Sequence, residues 1–343
     1  MISNKYLVNS KGIYVFSDPA AENSILAIID NLIASNKVAG IDFLIYTNSI
    51  RDSYSTYGEI INIFDFQEDL IDTVLNNFKP EYVFTGTSSE NHEHLWRKSA
   101  IKKDIKVISF IDHWTSYTKR FVKENETIFG HHVLVVNEIA KNEAIKAGIP
   151  KKSISIYGNP YYKKVKSFVP SLSKINFFKK INIDLKKKLI IFVSDDIKRN
   201  FNKNKIGECV LGYDEYIILE TLLNKLKELH KINKVNFNDY QILIKLHPKS
   251  NPNKFYEIIK NFKFIKINVV KDCEPLTLNY YSDYVIGMFS NMIIESFLMK
   301  KKILRIQLNQ NGEDKIKLIG LKDKIIVDEK NLEDKIISFL KID

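Results

Sequence analysis

The strongest constraint on the fold is a rhythm that runs through the chain twice. Short runs of β-branched and aromatic residues, apolar on both faces, alternate with stretches whose apolar residues keep helical spacing. In the first run, strands are predicted at 12–16, 41–46, 59–64, 82–85, 105–111, 133–136 and 154–157. Helices are predicted from Asp18-Pro19 through Ile33, and at 67–78, 90–103 and 138–147. The helix over 67–78 stops ahead of Pro80. From 161 to 187 the pattern dissolves into lysine, serine and phenylalanine, which reads as a connection with at most one irregular helix. The rhythm then restarts, with strands at 188–193, 240–246, 264–270, 284–289 and 302–306. Helices are expected at 213–231, 253–262, 275–281, 291–299 and, closing the chain, 331–340. Strands that are apolar on both faces and separated by helices form parallel sheets covered on each side. The expectation is an α/β protein with two Rossmann-like domains facing a central cleft: a first domain over 1–160, a connection over 161–187, a second domain over 188–330 and a closing helix over 331–343. No GxGxxG follows the first strand, which argues against a dinucleotide site.

At 343 residues the chain is long enough for two cores. Its formal charge of +11 comes from lysine-rich runs such as 186–188 and 300–302. That excess suits a solvated surface, an anionic substrate such as a nucleotide, or the anionic inner face of a membrane. No zinc finger, RNP-type aromatic motif or recognition helix is present, so a nucleic-acid partner is not expected. No apolar run is long enough to span a bilayer and the first residues do not read as a signal peptide, so a cytoplasmic protein is expected, with peripheral contact at the inner membrane face. Cys209 and Cys273 stand apart with no CxxC, and neither a zinc site nor one at His131-His132 is expected.

Two strand ends in the second half carry the chemistry of anion binding. QILIKLHP ends at Lys245, His247 and Pro248; the strand over 284–289 passes Gly287 and turns at Ser290 and Asn291 into a helix bearing Glu295. In a parallel sheet these ends lie at the carboxyl rim, where ligands bind. A helix N-terminus beside a cation suits a phosphate. Lys245 and His247 stand two residues apart, on one side of the strand, and a protonated His247 would neutralise or protonate a leaving phosphate. Ser290 is placed to contact phosphate or to cap the helix, and Glu295 to accept from ribose hydroxyls or to sit on the helix surface. Ser194-Asp195-Asp196 ends another strand and is expected at the same rim.

In the first half, Gly86, Thr87, Ser88 and Glu90 follow one strand end, and Asp112, His113 and Trp114 follow the next, with Tyr117 and Arg120 behind them. Tryptophan stacks on sugar rings and arginine pairs with carboxylates, which marks Gly86, Thr87, Ser88, His113, Trp114 and Arg120 as acceptor-binding candidates. Asp112 is the first candidate for a general base and Glu90 the second, with His113 able to replace them.

The Gly158-Asn159-Pro160 strand ending, the KLHP strand end and the S-N-x-x-x-E turn together resemble those of GT-B glycosyltransferases. More narrowly, they resemble bacterial sialyltransferase-like enzymes that build capsular or lipopolysaccharide glycans from CMP-activated sugars. Those enzymes often carry two adjacent serines where this chain has Ser290-Asn291. The resemblance implies a GT-B fold and an inverting, metal-independent transfer of an acidic, ulosonic sugar from a CMP donor to a glycan or glycolipid acceptor. No cofactor beyond the nucleotide-sugar co-substrate is expected. The donor site would comprise Ser194, Lys245, His247, Pro248, Gly287, Ser290, Asn291 and Glu295, with Asp112, His247 and Glu90 as catalytic groups. Similar HP and S-x-x-x-E features occur in CDP-glycerol-type polyol-phosphate transferases, which leaves that class, a UDP-sugar glycosyltransferase and a non-enzymatic sugar-nucleotide binder as alternatives.

Overall fold

In the computed structural model, residues 11–34, 43–47, 59–62, 68–88, 91–201, 210–321, 325–326 and 328–340 are described. The chain divides into two compact units, residues 1–164 and 165–343. The predicted strand and helix order reappears in each.

The first unit begins with β1 (Gly12–Phe16), α1 (Pro19–Ala34), β2 (Phe43–Thr47), β3 (Glu59–Asn62), α2 (Glu68–Phe78), β4 (Tyr82–Thr85), α3 (His92–Lys102) and β5 (Lys106–Ile111). A small hairpin of β6 (Val122–Lys123) and β7 (Glu126–Thr127) follows, then β8 (His132–Val135), α4 (Glu138–Lys146) and β9 (Ile154–Ile156). The main sheet is parallel, in the order β3-β2-β1-β4-β5-β8-β9. The alternation succeeded because β1 and β4 are buried at every position, so each strand must be apolar on both faces. Asp18 caps α1: its Oδ1 accepts the N–H groups of Ala20 and Ala21, both at 3.0 Å. On one side of the sheet, Ile71 and Leu75 of α2 and Trp96 of α3 pack on Ile13, Val83 and Val107.

The supposed connection contains α5 (Tyr161–Lys166) and α6 (Lys174–Lys180). Their brevity hid them: α6 is anchored by one pair, Phe177 and Phe178, and capped by Ser173, which accepts from the Asn176 N–H. Gly158 adopts φ +87°, a left-handed conformation open to glycine, and Asn159 Oδ1 accepts the Tyr161 N–H at 3.1 Å. The Gly-Asn-Pro ending is therefore the hinge of a strand-to-helix turn.

The second unit holds β10 (Lys188–Val193), α7 (Ile197–Asn200), α8 (Glu215–Lys231), β11 (Tyr240–Lys245), α9 (Asn253–Ile259) and β12 (Lys266–Val270). It continues with α10 (Pro275–Tyr281), β13 (Tyr284–Gly287), α11 (Asn291–Leu298), β14 (Lys302–Ile306), β15 (Ile325–Ile326) and α12 (Leu332–Leu340). All six strands are parallel, in the order β12-β11-β10-β13-β14-β15. The closing helix belongs to this core: Leu332, Ile336 and Leu340 are buried with Leu219, Leu223 and Ile306. In both sheets the first strand lies between its later neighbours, so strand order reverses beside it. Helices there leave on opposite faces and open a crevice at the carboxyl edge.

Candidate functional site

The crevice of the second unit lies where β10 meets β13. Ser194, Asp195 and Asp196 leave β10 there, all nearly buried. The Ser194 N–H donates to the Lys245 carbonyl at 2.9 Å, continuing the ladder past the strand, and its Oγ donates to the Asp195 carbonyl at 3.1 Å. Asp195 reaches across to the next strand end, where its Oδ2 accepts the Phe289 N–H at 3.0 Å. Burial pushes its carboxyl up to about 7, and Glu215 adds to the shift against the amides of Phe289 and Ser290 and the charge of Arg305. A protein carboxylate thus occupies amides at the turn where an anionic ligand was expected.

Asp196 pairs with Arg199 and lies 3.9 Å from Nδ1 of His247. The same Nδ1 accepts the Lys249 N–H at 3.2 Å, which leaves Nε2 as the ring's donor. Burial pulls the His247 pKa down, more than Asp196 raises it. The imidazole is therefore neutral at physiological pH, and the expected protonated acid becomes a neutral N–H donor. Pro248 is exposed beside it, in a turn closed by the Ser250 N–H donating to the His247 carbonyl at 2.9 Å.

Lys245 is placed differently from the expectation of a second cation facing the ligand. Its Nζ turns to the carbonyls of Leu246 and Lys271, at 2.9 and 2.8 Å, and the side chain is buried. Its hydrogen bonds tie down the ends of β11 and β12. Gly287 has a packing role: a Cβ there would meet Cδ1 of Ile293 at 2.9 Å and the Val193 carbonyl at 3.1 Å. Ser290 caps α11, accepting the Met292 N–H at 3.3 Å, and Asn291 is exposed at the first turn. Glu295 is buried and accepts from Nδ2 of Asn279 at 3.3 Å, so it faces α10.

Sequence reasoning missed the cations of this edge. Lys198 of α7 and Lys254 of α9 both lie over the ring of Tyr216, at 5.7 and 4.2 Å from its centroid. Burial and then the Lys198 ammonium lower the Lys254 pKa. Asp214 is 3.9 Å from Lys198, and Glu215 Oε2 is taken by the N–H groups of Ile197 and Lys198, both at 3.1 Å. Two like charges held over one ring are a place where an added anion gains. The available signal was Lys198, two residues after the Asp195-Asp196 strand end. Also missed was Arg305, wholly buried, which binds Asp314 through two nitrogens at 2.8 and 2.5 Å and donates from Nε to the Met288 carbonyl at 2.9 Å. It fixes the end of β13 from the far side.

In the first unit the crevice between β1 and β4 is filled by Glu93 of α3. Its Oε1 accepts the Ser17 N–H at 3.1 Å, its Oε2 accepts the Ser88 N–H at 2.9 Å, and the Ser88 hydroxyl also donates to it. Glu93 is fully buried, and burial pushes its carboxyl up to about 7. Gly86 is small because a Cβ would meet Glu93 Oε1 at 2.8 Å. The buried Arg97 donates to Thr85 Oγ1 and to the Gly86 carbonyl, each at 3.3 Å. One strand further along, Asp112 lies 3.5 Å from Arg120, whose guanidinium also donates to the Thr87 carbonyl at 3.2 Å and the Thr115 carbonyl at 2.9 Å. Arg120 is thus engaged by the protein, where a sugar carboxylate was expected. The Asp18 carboxyl is raised first by burial and then by the Asp112 charge.

Trp114 is no stacking platform. It is buried, and its Nε1 donates to Asn137 Oδ1 at 3.0 Å, the atom that caps α4. Tyr117 donates to Glu143 at 2.8 Å. His113 is half-buried against Trp114, with ring centroids 5.2 Å apart. Glu90 lies outside the described residues. Among the described residues no three His, Cys, Asp or Glu side chains gather as a metal-binding group, and no helix is long and apolar enough to cross a membrane.

No protein-family model and no curated protein matches the chain. Its fold matches solved structures along nearly its whole length. The UDP-GlcNAc 2-epimerase of Methanocaldococcus jannaschii aligns with TM-score 0.64 and 18% identity over 97% of this chain and 92% of that one. The UDP-GlcNAc 2-epimerase of Neisseria meningitidis, bound to UDP-GlcNAc, aligns with TM-score 0.63 and 14% identity over 96% and 91%. Anabaena Alr3699/HepE in complex with UDP-glucose gives 0.58 and 10% over 96% and 90%. The fold is thus GT-B-like, with two Rossmann-like domains, as the alternation predicted. These neighbours correct the sialyltransferase-like resemblance and, with it, the expected transfer of an acidic sugar from CMP. The physical reason lies in the motifs themselves. Here Asn159 accepts the Tyr161 N–H in the Gly-Asn-Pro turn, the His-Pro turn is closed by the Ser250 N–H and Ser290 caps α11, roles in backbone geometry that do not depend on which nucleotide is bound.

Proposed function

We propose that this chain is an enzyme acting on a UDP-sugar, with the diphosphate held at the carboxyl edge of the second unit's sheet. The observation that carries the reading is the cation cluster there. Lys198 and Lys254 crowd one tyrosine ring next to the Asp196–His247 pair, at the point where strand order reverses. A diphosphate offers more charge to such a cluster than a monophosphate does, which favours UDP over CMP. The fold neighbours bound to UDP-GlcNAc and UDP-glucose support the same nucleotide. His247, neutral with Nε2 as donor, hydrogen-bonds an oxygen without changing charge.

Asp18 and Asp112 are the proton-transfer groups in this proposal. Asp18 Oδ1 is occupied by two helix amides, so a proton held by its raised carboxyl resides on Oδ2. Asp112, 3.5 Å from Arg120, is the group assigned to accept a proton. Two carboxyl groups in these roles suit proton removal and return at a sugar carbon, as epimerisation requires. Incubating the protein with UDP-GlcNAc and UDP-glucose and following the sugar stereochemistry by NMR tests it. A new stereoisomer or release of UDP is expected; intact substrate in both cases contradicts the reading.

A further inference from the structure

A cavity of the second unit lies at the opposite end of the sheet from the cation cluster. It is a groove of about 590 Å³ beside the amino-terminal ends of β11 and β12, lined by the residues before β10, before β11 and along α9. Its floor is aromatic and aliphatic, with Phe237, Phe262 and Ile265 buried and Phe264 half-buried. Its rim is cationic: Lys187, Lys260, Lys263 and Lys266 line it, and no acidic side chain does. Among the described residues none of these four lysines is in an ion pair. Tyr256 stands at the rim, 51% exposed, and Leu185 is 47% exposed just ahead of Lys187.

From this juxtaposition of an apolar groove with an acid-free ring of lysines we propose that this face docks the protein on an anionic phospholipid membrane. The occupant follows from charge and shape together. Lysines flanking exposed aromatic and aliphatic side chains match a surface whose outer layer is anionic and whose next layer is apolar. A soluble anion would use the lysines and leave the apolar floor wet. Strands of six residues run about 20 Å, so a membrane on this edge leaves the carboxyl edge of the same sheet turned to water. An enzyme fed by a water-soluble sugar nucleotide would gain from that arrangement, although the docking stands without the proposed activity.

The test is sedimentation of the full chain with vesicles of phosphatidylcholine, alone or mixed with phosphatidylglycerol. Binding is expected to the mixed vesicles only and to fall as salt rises. Removing juxtamembrane lysines weakens such binding roughly fivefold each. The triple variant K260Q/K263Q/K266Q should therefore lose on the order of a hundredfold in partitioning. Three exposed lysines of the first unit, changed in K146Q/K151Q/K152Q, give a charge-matched control expected to bind like the wild type. Tyr256→Ser should weaken binding without altering its salt dependence. UDP titration of each variant shows whether the fold is intact and keeps failure here separate from failure of the proposed function. Absence of binding to mixed vesicles, or equal losses in both triple variants, would overturn the proposal.

Discussion

The two crevices of the molecule are built alike and used differently. Each lies where strand order reverses, and in each a buried carboxyl, raised to about 7, stitches neighbouring strand ends together: Glu93 in the first unit and Asp195 in the second. Glu93 comes from a helix, binds the amides of both flanking strand ends, and lies near the buried Arg97. That crevice is filled. Asp195 comes from the end of the strand itself and binds the Phe289 amide, while its neighbour Asp196 lies beside His247 and Lys198 and Lys254 lie over Tyr216. A single scaffold thus fills one switch point with a helix glutamate and leaves two lysines over one tyrosine ring at the carboxyl edge of the other sheet. In the first unit the remaining polar chemistry is Asp18, just behind β1, and, one strand beyond β4, Asp112 with Arg120.

The comparison breaks most visibly at that displaced pair. Asp112→Asn keeps the shape and removes the base, so turnover of the responsive UDP-sugar should fall by about 10²–10⁴-fold while UDP affinity holds. If kcat survives, proton transfer lies elsewhere.

Next in size is the closed crevice. Glu93 titrates near 4.5 when unfolded and near 7 when folded. Its contribution to stability is complete below about 4.5 and is lost as pH rises to about 7, because the folded state retains the proton the unfolded chain has released. The loss is about 3 kcal/mol for the unit. Both tryptophans, Trp96 and Trp114, lie in the first unit, so their fluorescence in urea titrations at acid and neutral pH reads it directly. Glu93→Gln should abolish that portion of the pH dependence; an unchanged slope would show that another group carries it.

The smallest effect concerns the open crevice. Ionised Asp195 repels a diphosphate, so UDP affinity should weaken by about tenfold as pH passes upward through 7. Asp195→Asn should flatten that curve. A wild-type affinity that does not change with pH would place the diphosphate away from Asp195.

The fold was legible because buried parallel strands must be apolar on both faces, a pattern that needs no partner to read. What escaped were α5, α6 and α7, too short to show a period, and β6, β7 and β15, each two residues long. The site was legible as places. The strand ends at Thr87, Asp112, Asp196 and His247 lie at carboxyl edges because topology puts them there. Side-chain direction was hidden. Lys245 turned to carbonyls, Trp114 to a helix cap, and Arg120 to Asp112, each to satisfy a buried polar group that only the folded chain creates. The nucleotide was misread for a related reason. The strand-end motifs serve backbone turns and caps, which carry no information about the base.

Calorimetric titration of the full chain with UDP, CDP and CMP tests the central claim most directly. The account predicts that UDP binds at least about tenfold more tightly than either cytidine nucleotide, and that K198Q/K254Q weakens it. CMP binding as tight as UDP, or UDP affinity indifferent to those two lysines, would contradict it.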